Sequence, residues 1–472
     1  MNIRQGRRSK GTVPLLPFKE AIMNIISGLK DFFLLNKNLY RLDKRQMEDM
    51  RQKQLFSVVN YALKHSKFYR NLYGTQEMKS LDDFYKFPVI NKSIMMENFN
   101  ELNTCGLDRD EVTAFAVKKE LDKDYSGYYK DEFVIGLSSG TSGNKGIYVT
   151  SKSLTQRLPF VFLARSGIPI RFLPFRILFL LRVFSQGFED INAPLIDLTY
   201  KSTMTSPGEL IEIINSRKIN IIMAPPSMLR ILMELAEKIE VKLKLIVSYA
   251  EVLEKEDRER ISRLFKTKVH EIYQASEGQI ASTCKCGNLH INEDLVFIEL
   301  YDKNGKEVKQ SGIAAEKMIL TNMVNFAQPL IRYEMNDVVV LGEKCPCGSS
   351  FRVIDKILGR NDDVLIFKNT KGEMINVFPD LFARWIITRE DRIREYKVIQ
   401  NSPEEIEIII DIFKNSRDLS EEISENLKSV IHNELKSFDV FCLPEIISED
   451  ISLPENKAKY KRFVRRFDIE NH

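Results

Sequence analysis

Histidine is scarce in this chain, five in 472 residues, and offers no evident general base. His65 and His432 fall in helical patterns and His472 is the last residue. Cysteine is nearly as sparse. Six thiols in this length do not make a disulfide framework, which points to a reducing cytoplasm. Neither sign of charge prevails: 70 basic against 66 acidic residues leave +4, too little to imply nucleic-acid binding. Long hydrophobic runs are missing too. The most apolar stretch, Phe172–Arg182, is broken by Pro174, Arg176 and Arg182 and falls far short of the ~20 apolar residues of a membrane span. Arg4, Arg7, Arg8, Lys10 and Lys19 make the start basic, but no uninterrupted apolar segment and cleavage site follow, against a secretory signal. Repeats and low-complexity tracts are lacking. What is left is a soluble globular protein, 43% hydrophobic and 29% charged, too long for one ordinary core.

What the chain does have is a dense loop, Leu137-Ser-Ser-Gly-Thr-Ser-Gly-Asn-Lys-Gly146, between β-type runs over 132–136 and 147–150. Three glycines and four hydroxyl residues in ten positions cannot hold a core, but they can wrap a phosphate. A plain hairpin loop is the competing reading. A Walker-type loop would open a helix and end in Gly-Lys-Ser/Thr, unlike this one. Gly136-Leu-Ser138-Ser-Gly140 also matches the nucleophile-elbow spacing, but that motif needs a helix after the turn, so the match is set aside.

Elsewhere, Leu16, Phe18, Ile22, Ile25, Ile26 and Leu29 form an amphipathic segment, read as packing on its own protein in preference to an anionic membrane face. Leu55, Val58, Val59, Ala62 and Leu63 mark one face of a helical region. Ser206-Pro-Gly-Glu209 is a capping box opening a helix over 209–217. Strands over 219–223, 243–248 and 269–273 alternate with helices over 226–239 and 254–265, the pattern of a parallel sheet covered on both faces. Ligands of such sheets sit beyond the carboxyl ends of the strands, here Ala224-Pro-Pro, Ser248-Tyr-Ala-Glu251 and Gln274-Ala-Ser-Glu277. Short strands follow over 297–301, 318–321 and 338–341. A hairpin over 396–412 and a helix over 420–436 then make a small α+β unit. The expected fold class is α/β: a large N-terminal domain with mixed and parallel sheets covered by helices, and a small C-terminal α+β domain. The expected divisions are a basic leader and helix (1–54), a large domain (55–358) with a small Cys-x-Cys insert (284–348), and a C-terminal domain (359–472).

Two matching knuckles, Cys284-Lys-Cys286-Gly and Cys345-Pro-Cys347-Gly, can supply four thiolates to a tetrahedral site. Structural Zn2+ on Cys284, Cys286, Cys345 and Cys347 is the favoured reading over metal-free thiols, with His290 set aside as a substitute ligand. Cys105 and Cys442 read as core filler. Glu277, just past a strand end, is placed to hold a divalent cation beside bound phosphates, or is a solvated loop acid. Asp337 suits vicinal sugar hydroxyls, or merely caps its strand.

In this order, Ser138-Ser-Gly-Thr-Ser-Gly143, Ser248-Tyr-Ala-Glu251, Tyr273-Gln-Ala-Ser-Glu277, Arg332-Tyr-x-x-x-Asp337, Gly359-Arg-Asn-Asp-Asp363 and a Lys-rich tail resemble the acyl- and aryl-adenylate-forming superfamily. The likeness is to its phenylacetate–CoA ligase-like branch and runs from about residue 55 to the C-terminus. Phe68-Tyr-Arg70, Phe87-Pro-Val-Ile-Asn-Lys92 and the Cys-x-Cys-Gly knuckles, which in that branch sometimes hold zinc, add to it.

The resemblance implies a hinge, a rotating small domain and two half-reactions. A carboxylate first attacks the α-phosphate of ATP to give acyl-AMP and pyrophosphate; a thiol of CoA or of an acyl-carrier protein then displaces AMP. By motif, Ser138, Ser139, Gly140, Thr141 and Gly143 hold phosphates, Ala250, Glu251 and Tyr273 flank adenine, and Ser276 and Glu277 face the α-phosphate and Mg2+. Asp337 and Arg360 hold ribose, Asp362 is the hinge, and Lys459 is the adenylation lysine, with Lys457 and Lys461 as rivals. Departures are that Ala250 and Ala458 replace usual glycines, that Gly143-Asn-Lys-Gly146 lacks the Pro-Lys-Gly ending, and that the stretch over 367–375 differs after the hinge. Lys145 therefore receives no role, and the thiol-acceptor tunnel is in question. Met223 and Phe184–Leu195 would line the acyl pocket without naming the acid. An AMP transferase whose adduct is the product, and a nucleotide-binding scaffold without turnover, are the alternatives; a homodimer is allowed.

Overall fold

Short apolar runs between capped helices build the middle of the chain in the computed structural model. It describes residues 15–122, 127–137, 146–166, 170–181, 191–193, 196–203, 205–360, 363–377, 379, 381–382, 385–386, 390, 392–451 and 461–467. Five parallel strands lie in the spatial order Ile196–Ser202, Phe175–Leu181, Ile221–Ala224, Leu245–Tyr249 and Val269–Ala275. Ile221–Ala224 and Leu245–Tyr249 are buried at every position, which is why their sequences are nearly continuous in apolar residues rather than alternating. Beyond Val269–Ala275 the sheet continues antiparallel through Gly278–Thr283, Leu289–Ile291, Val353–Arg360, Asp337–Leu341 and Ala314–Ala315. Ile191–Ala193 closes the other edge, making eleven strands.

The expected helices are present with small shifts of boundary: Pro207–Ser216, Pro226–Glu234 and Lys255–Phe265. Ser206 caps the first, accepting from the Glu209 amide at 3.3 Å. The expected reciprocal half of the box is replaced: the Glu209 carboxylate meets Lys201 Nζ at 3.3 Å, because an unlike charge is within reach on the preceding strand.

Phe133–Leu137 and Ile147–Ser151 pair antiparallel, with Leu137 opposite Ile147, so a strand lies on each side of the Gly/Ser-rich loop. Val296–Tyr301, Lys317–Asn322 and Tyr333–Met335 form a separate three-stranded sheet. The stretch over 284–348 gives three strands to the large sheet, Leu289–Ile291, Ala314–Ala315 and Asp337–Leu341, and by itself makes up the three-stranded one.

The C-terminal half of the helix Leu15–Arg41 packs on its own protein, while the side chains of Leu16, Phe18, Ile22, Ile25 and Ile26, on which the expectation rested, lie outside the described ones. Leu35 and Leu39 are buried, Asp31 meets Arg157 Nε at 2.5 Å, and Leu35 O accepts from Arg165 Nη1 at 3.0 Å. Leu29, Phe33 and Leu34 remain exposed on this helix. No described helix is long and apolar enough to cross a membrane.

The C-terminal unit has a core of its own. The hairpin Ile393–Ser402 and Glu405–Ile412 is flanked by parallel strands Phe463–Arg465 and Glu445–Ser448. The helix Ser420–Lys436 covers it with Ile423, Leu427, Ile431 and Leu435, four residues apart on one face.

Four charged groups join this unit to the large sheet's helices. Arg230 Nη1 lies 2.6 Å from Asp257 Oδ2, and its Nη2 lies 2.6 Å from Glu395 Oε2. Arg462 Nε reaches Glu395 Oε1 at 2.7 Å, and the guanidinium stacks 4.5 Å from the centre of the Tyr396 ring. Arg394 adds Glu234 at 3.4 Å and also pairs with Asp411. Burial pushes the Glu395 carboxyl up, but Arg230 and Arg462 outweigh it and hold the pKa at about 2. A carboxyl depressed from its unfolded value of about 4.3 stabilises the fold in full above that value and loses the contribution as pH falls towards 2. The Glu395→Gln variant is therefore expected to be less stable at neutral pH by ~3 kcal/mol. Its unfolding midpoint should also fall less steeply on acidification than that of the parent chain. Thermal unfolding followed across pH checks this, and parallel acid limbs would contradict it.

Candidate functional site at the carboxyl edge of the sheet

Three adjacent parallel strands point their carboxyl ends the same way: Ala224 lies opposite Ser248 and Tyr249 opposite Ile272, with Val269–Ala275 running three residues further. The segments that follow, Pro225-Pro226, Ala250-Glu251 and Ser276-Glu277, therefore share one edge, as the sequence pattern implied. Ala250 has φ +69°, the left-handed region that glycine enters without strain, which suits the glycine that the motif resemblance implied there. Glu251 accepts from the Ser227 amide at 3.0 Å and from Ser227 Oγ at 2.9 Å. It therefore supplies the N-terminal cap that Pro225 cannot give to the helix Pro226–Glu234.

Ser276 and Glu277 occupy the turn between Val269–Ala275 and Gly278–Thr283, with Ser276 exposed and Glu277 half-buried. The Glu277 carbonyl accepts from Asn322 Nδ2 at 2.7 Å, and its Oε1 accepts from the Tyr148 hydroxyl at 2.6 Å. Tyr273, one turn of strand earlier, packs half-buried against the main core. Asp337 and Arg360 stand directly opposite each other in an antiparallel pair, so the two residues assigned to ribose share one register position.

Several expected residues lie outside the described ones: Ser138, Ser139, Gly140, Thr141 and Gly143 of the loop, Asp362 of the hinge, Lys457 and Lys459 of the tail, and all but 191–193 of Phe184–Leu195. Lys461 is described, and its Nζ lies 3.2 Å from Asp363 Oδ1, one residue past the expected hinge. Met223 is buried among Phe162, Phe179, Tyr200 and Tyr249.

The cysteine site differs from expectation in one ligand. The donor atoms of Cys284, His290, Cys345 and Cys347 all lie within 4.8 Å of one another, and all four residues are buried. Cys286 is exposed. Each knuckle turns an amide onto its own first sulfur: the Cys286 amide donates to Cys284 Sγ at 3.3 Å, and the Cys347 amide donates to Cys345 Sγ at 3.4 Å. Gly287 (φ +91°) and Gly348 (φ +89°) provide the left-handed turns that let each knuckle close. His290 Nδ1 lies 2.9 Å from Phe351 O, which fixes the ring with Nε2 3.5 Å from Cys347 Sγ. Burial raises the Cys284 thiol, yet hydrogen bonds from His290 and from the Cys286 and Asn288 amides bring it down to about 6. Three sulfurs and an imidazole with its far nitrogen held by a carbonyl fit a closed tetrahedral zinc site. His290 lies six residues after Cys284, on a strand paired with the one that ends just before Cys284; that pairing is the signal that could have named it.

No family model matches the chain. A phenylacetate-coenzyme A ligase of Thermus thermophilus is 29% identical over 111 residues, 23% of this chain and 24% of that protein. A phenylacetate-coenzyme A ligase of Aromatoleum evansii is 24% identical over 374 residues, 72% of this chain and 76% of that protein. Among solved structures, a 2-hydroxyisobutyryl-CoA ligase in the postadenylation state with R3-HIB-AMP matches with TM-score 0.68 and 16% identity over 92% of both chains. The fold is that of the adenylate-forming ligases, a large N-terminal and a small C-terminal domain. In sequence the chain resembles the phenylacetate–CoA ligase-like branch of those enzymes, as its motifs implied.

The strain at Ala250 is testable. Ala250→Gly is expected to raise stability by about 0.5–1 kcal/mol, relief of the left-handed Cβ outweighing the added freedom of the unfolded chain. Denaturant unfolding measures it, and a destabilised variant would contradict the reading.

Proposed function

We propose that this chain is an ATP-dependent carboxylate-activating ligase. A carboxylate oxygen attacks the α-phosphorus of ATP, pyrophosphate leaves, and an acyl- or aryl-adenylate forms. The sulfur of CoA then attacks the acyl carbon and AMP leaves. The observation that carries the reading is the shared carboxyl edge of Ala224, Ala250-Glu251 and Ser276-Glu277, in the chain order of the superfamily motifs. Charge building on the phosphoryl oxygens needs a cation and oriented dipoles. In this reading Glu277 holds Mg2+, the 138–146 loop holds the phosphates, Asp337 and Arg360 hold ribose, and Lys459 meets the α-phosphate oxygens. Lys461, already paired with Asp363, is the weaker rival. CoA is named as acceptor because the relatives are coenzyme A ligases. An acyl-carrier protein and a homodimer gain no support from them. A reducing cytoplasm suits the six free cysteines.

A panel of aryl and short- to medium-chain acids, assayed by pyrophosphate release, tests the function. At least one acid should give turnover, and thioester should appear only when CoA is added. Lys459→Ala should lower adenylation by about two or more orders of magnitude, while Lys461→Ala keeps most of it. Equal rates in both variants would remove Lys459 from the role. Turnover that stops at an AMP adduct, with CoA present, would instead favour the AMP-transferase alternative.

The Cys284–His290–Cys345–Cys347 cluster is proposed as a structural zinc site, with no open position for catalysis. Metal analysis of the purified chain should find about one zinc ion. His290→Ala should lose it and Cys286→Ser should keep it. The reverse pattern would restore the four-cysteine set.

A further inference from the structure

Two buried tyrosines converge on Glu277 from parts of the chain far away in sequence. Tyr148 lies on the strand Ile147–Ser151, which leaves the Gly/Ser-rich loop, and its hydroxyl donates to Glu277 Oε1 at 2.6 Å. Tyr333 comes from the Arg332-Tyr-x-x-x-Asp337 motif, and its hydroxyl lies 3.3 Å from that of Tyr148. A phenol has a single proton to give. With the Tyr148 proton committed to the carboxylate, the Tyr333 proton serves either the Tyr148 oxygen or Glu277 itself, with which Tyr333 also interacts directly. The result is a cluster of Tyr333, Tyr148 and Glu277.

Burial makes this arrangement consequential. The two rings are 7% and 3% exposed, so a hydroxyl without a partner would cost about 1–3 kcal/mol. An O–H···O⁻ bond at 2.6 Å belongs to the short, charge-assisted kind. Burial, and next the Glu277 charge, push both phenols well above their ordinary values, so they stay protonated donors throughout the working range. Asn322 holds the Glu277 backbone at the same time, at 2.7 Å. Glu277 is therefore held at its backbone by Asn322 and at its carboxylate by Tyr148, at a turn that would otherwise let it swing.

We propose that Tyr148 is a positioning residue: it orients the Glu277 carboxylate toward the divalent cation that accompanies ATP, with Tyr333 holding Tyr148 in turn. The proposal rests on reading Glu277 as the cation-binding carboxylate. It assigns the strand after the phosphate loop a second duty, coupling the loop's exit to the cation's ligand. Donors behind a metal-binding carboxylate act on metal affinity, not on nucleotide affinity as such.

The test is ATP binding by titration calorimetry on the full chain, with Mg2+ and with EDTA. The parent chain should bind ATP more tightly with Mg2+. Tyr148→Phe should keep the EDTA affinity and lose about tenfold of the Mg2+-dependent gain. Tyr333→Phe, which removes only the second donor, should lose about threefold, and it carries the test if Tyr148→Phe does not fold by circular dichroism. Folded variants with the parent's Mg2+ dependence would overturn the positioning role while leaving Glu277 as the cation's ligand. An unchanged Mg2+ dependence in Glu277→Gln, or none in the parent chain, would overturn both.

Discussion

The contact network of buried Arg230, Asp257 and Glu395 with half-buried Arg462 is the constraint on which the rest depends. Removing one member would strand a charge away from water at a cost of several kcal/mol, so the set is kept whole or broken whole. Its members belong to different layers. Arg230 and Asp257 stand on the helices that follow strands of the parallel sheet, Glu395 on the C-terminal hairpin, and Arg462 just before the last strand. Arg230 is one turn from Ser227, whose amide and hydroxyl hold Glu251. Arg462 follows Lys461, which is tied to Asp363. The network thus holds the carboxyl edge of the parallel sheet, the stretch at Asp363 and the strand Phe463–Arg465 against one another.

Within that frame, identical groups take different duties according to their partners. Glu251 and Glu277 leave neighbouring strand ends, yet Glu251 faces a helix N-terminus and acts as its cap, while Glu277 faces a phenol. Glu395 lies between two guanidinium groups and stays ionised even in acid. The carboxylates are told apart by what the fold brings to them from elsewhere in the chain.

This is also why the sequence was legible only in part. The parallel sheet could be read because Ile221–Ala224 and Leu245–Tyr249 are buried on both faces and the helix between them opens on proline, so the signal is local. The order of the motifs was enough for the superfamily. Ala250 was visible as a departure from glycine, and its positive φ supplies the reason. Contacts made across sheets left no local trace. Tyr148 and Glu277 are 129 residues apart, and Arg230 and Glu395 are 165 apart. Thiol spacing could say that two knuckles meet, but not that Cys286 is left exposed outside the tight cluster while His290 enters from the neighbouring strand. The Glu209 cap failed for the same reason: Lys201, one strand back, drew the carboxylate away.

The central claim is that a carboxylate oxygen bonds to the α-phosphorus of ATP. The most direct measurement uses an acid that turns over, prepared with isotopically labelled carboxylate oxygens, followed by mass analysis of the products formed with ATP and CoA. Adenylation followed by thiolysis predicts one labelled oxygen in AMP for each thioester formed, and none in pyrophosphate. Label appearing in inorganic phosphate alongside ADP, or thioester formed with unlabelled AMP, would contradict the account.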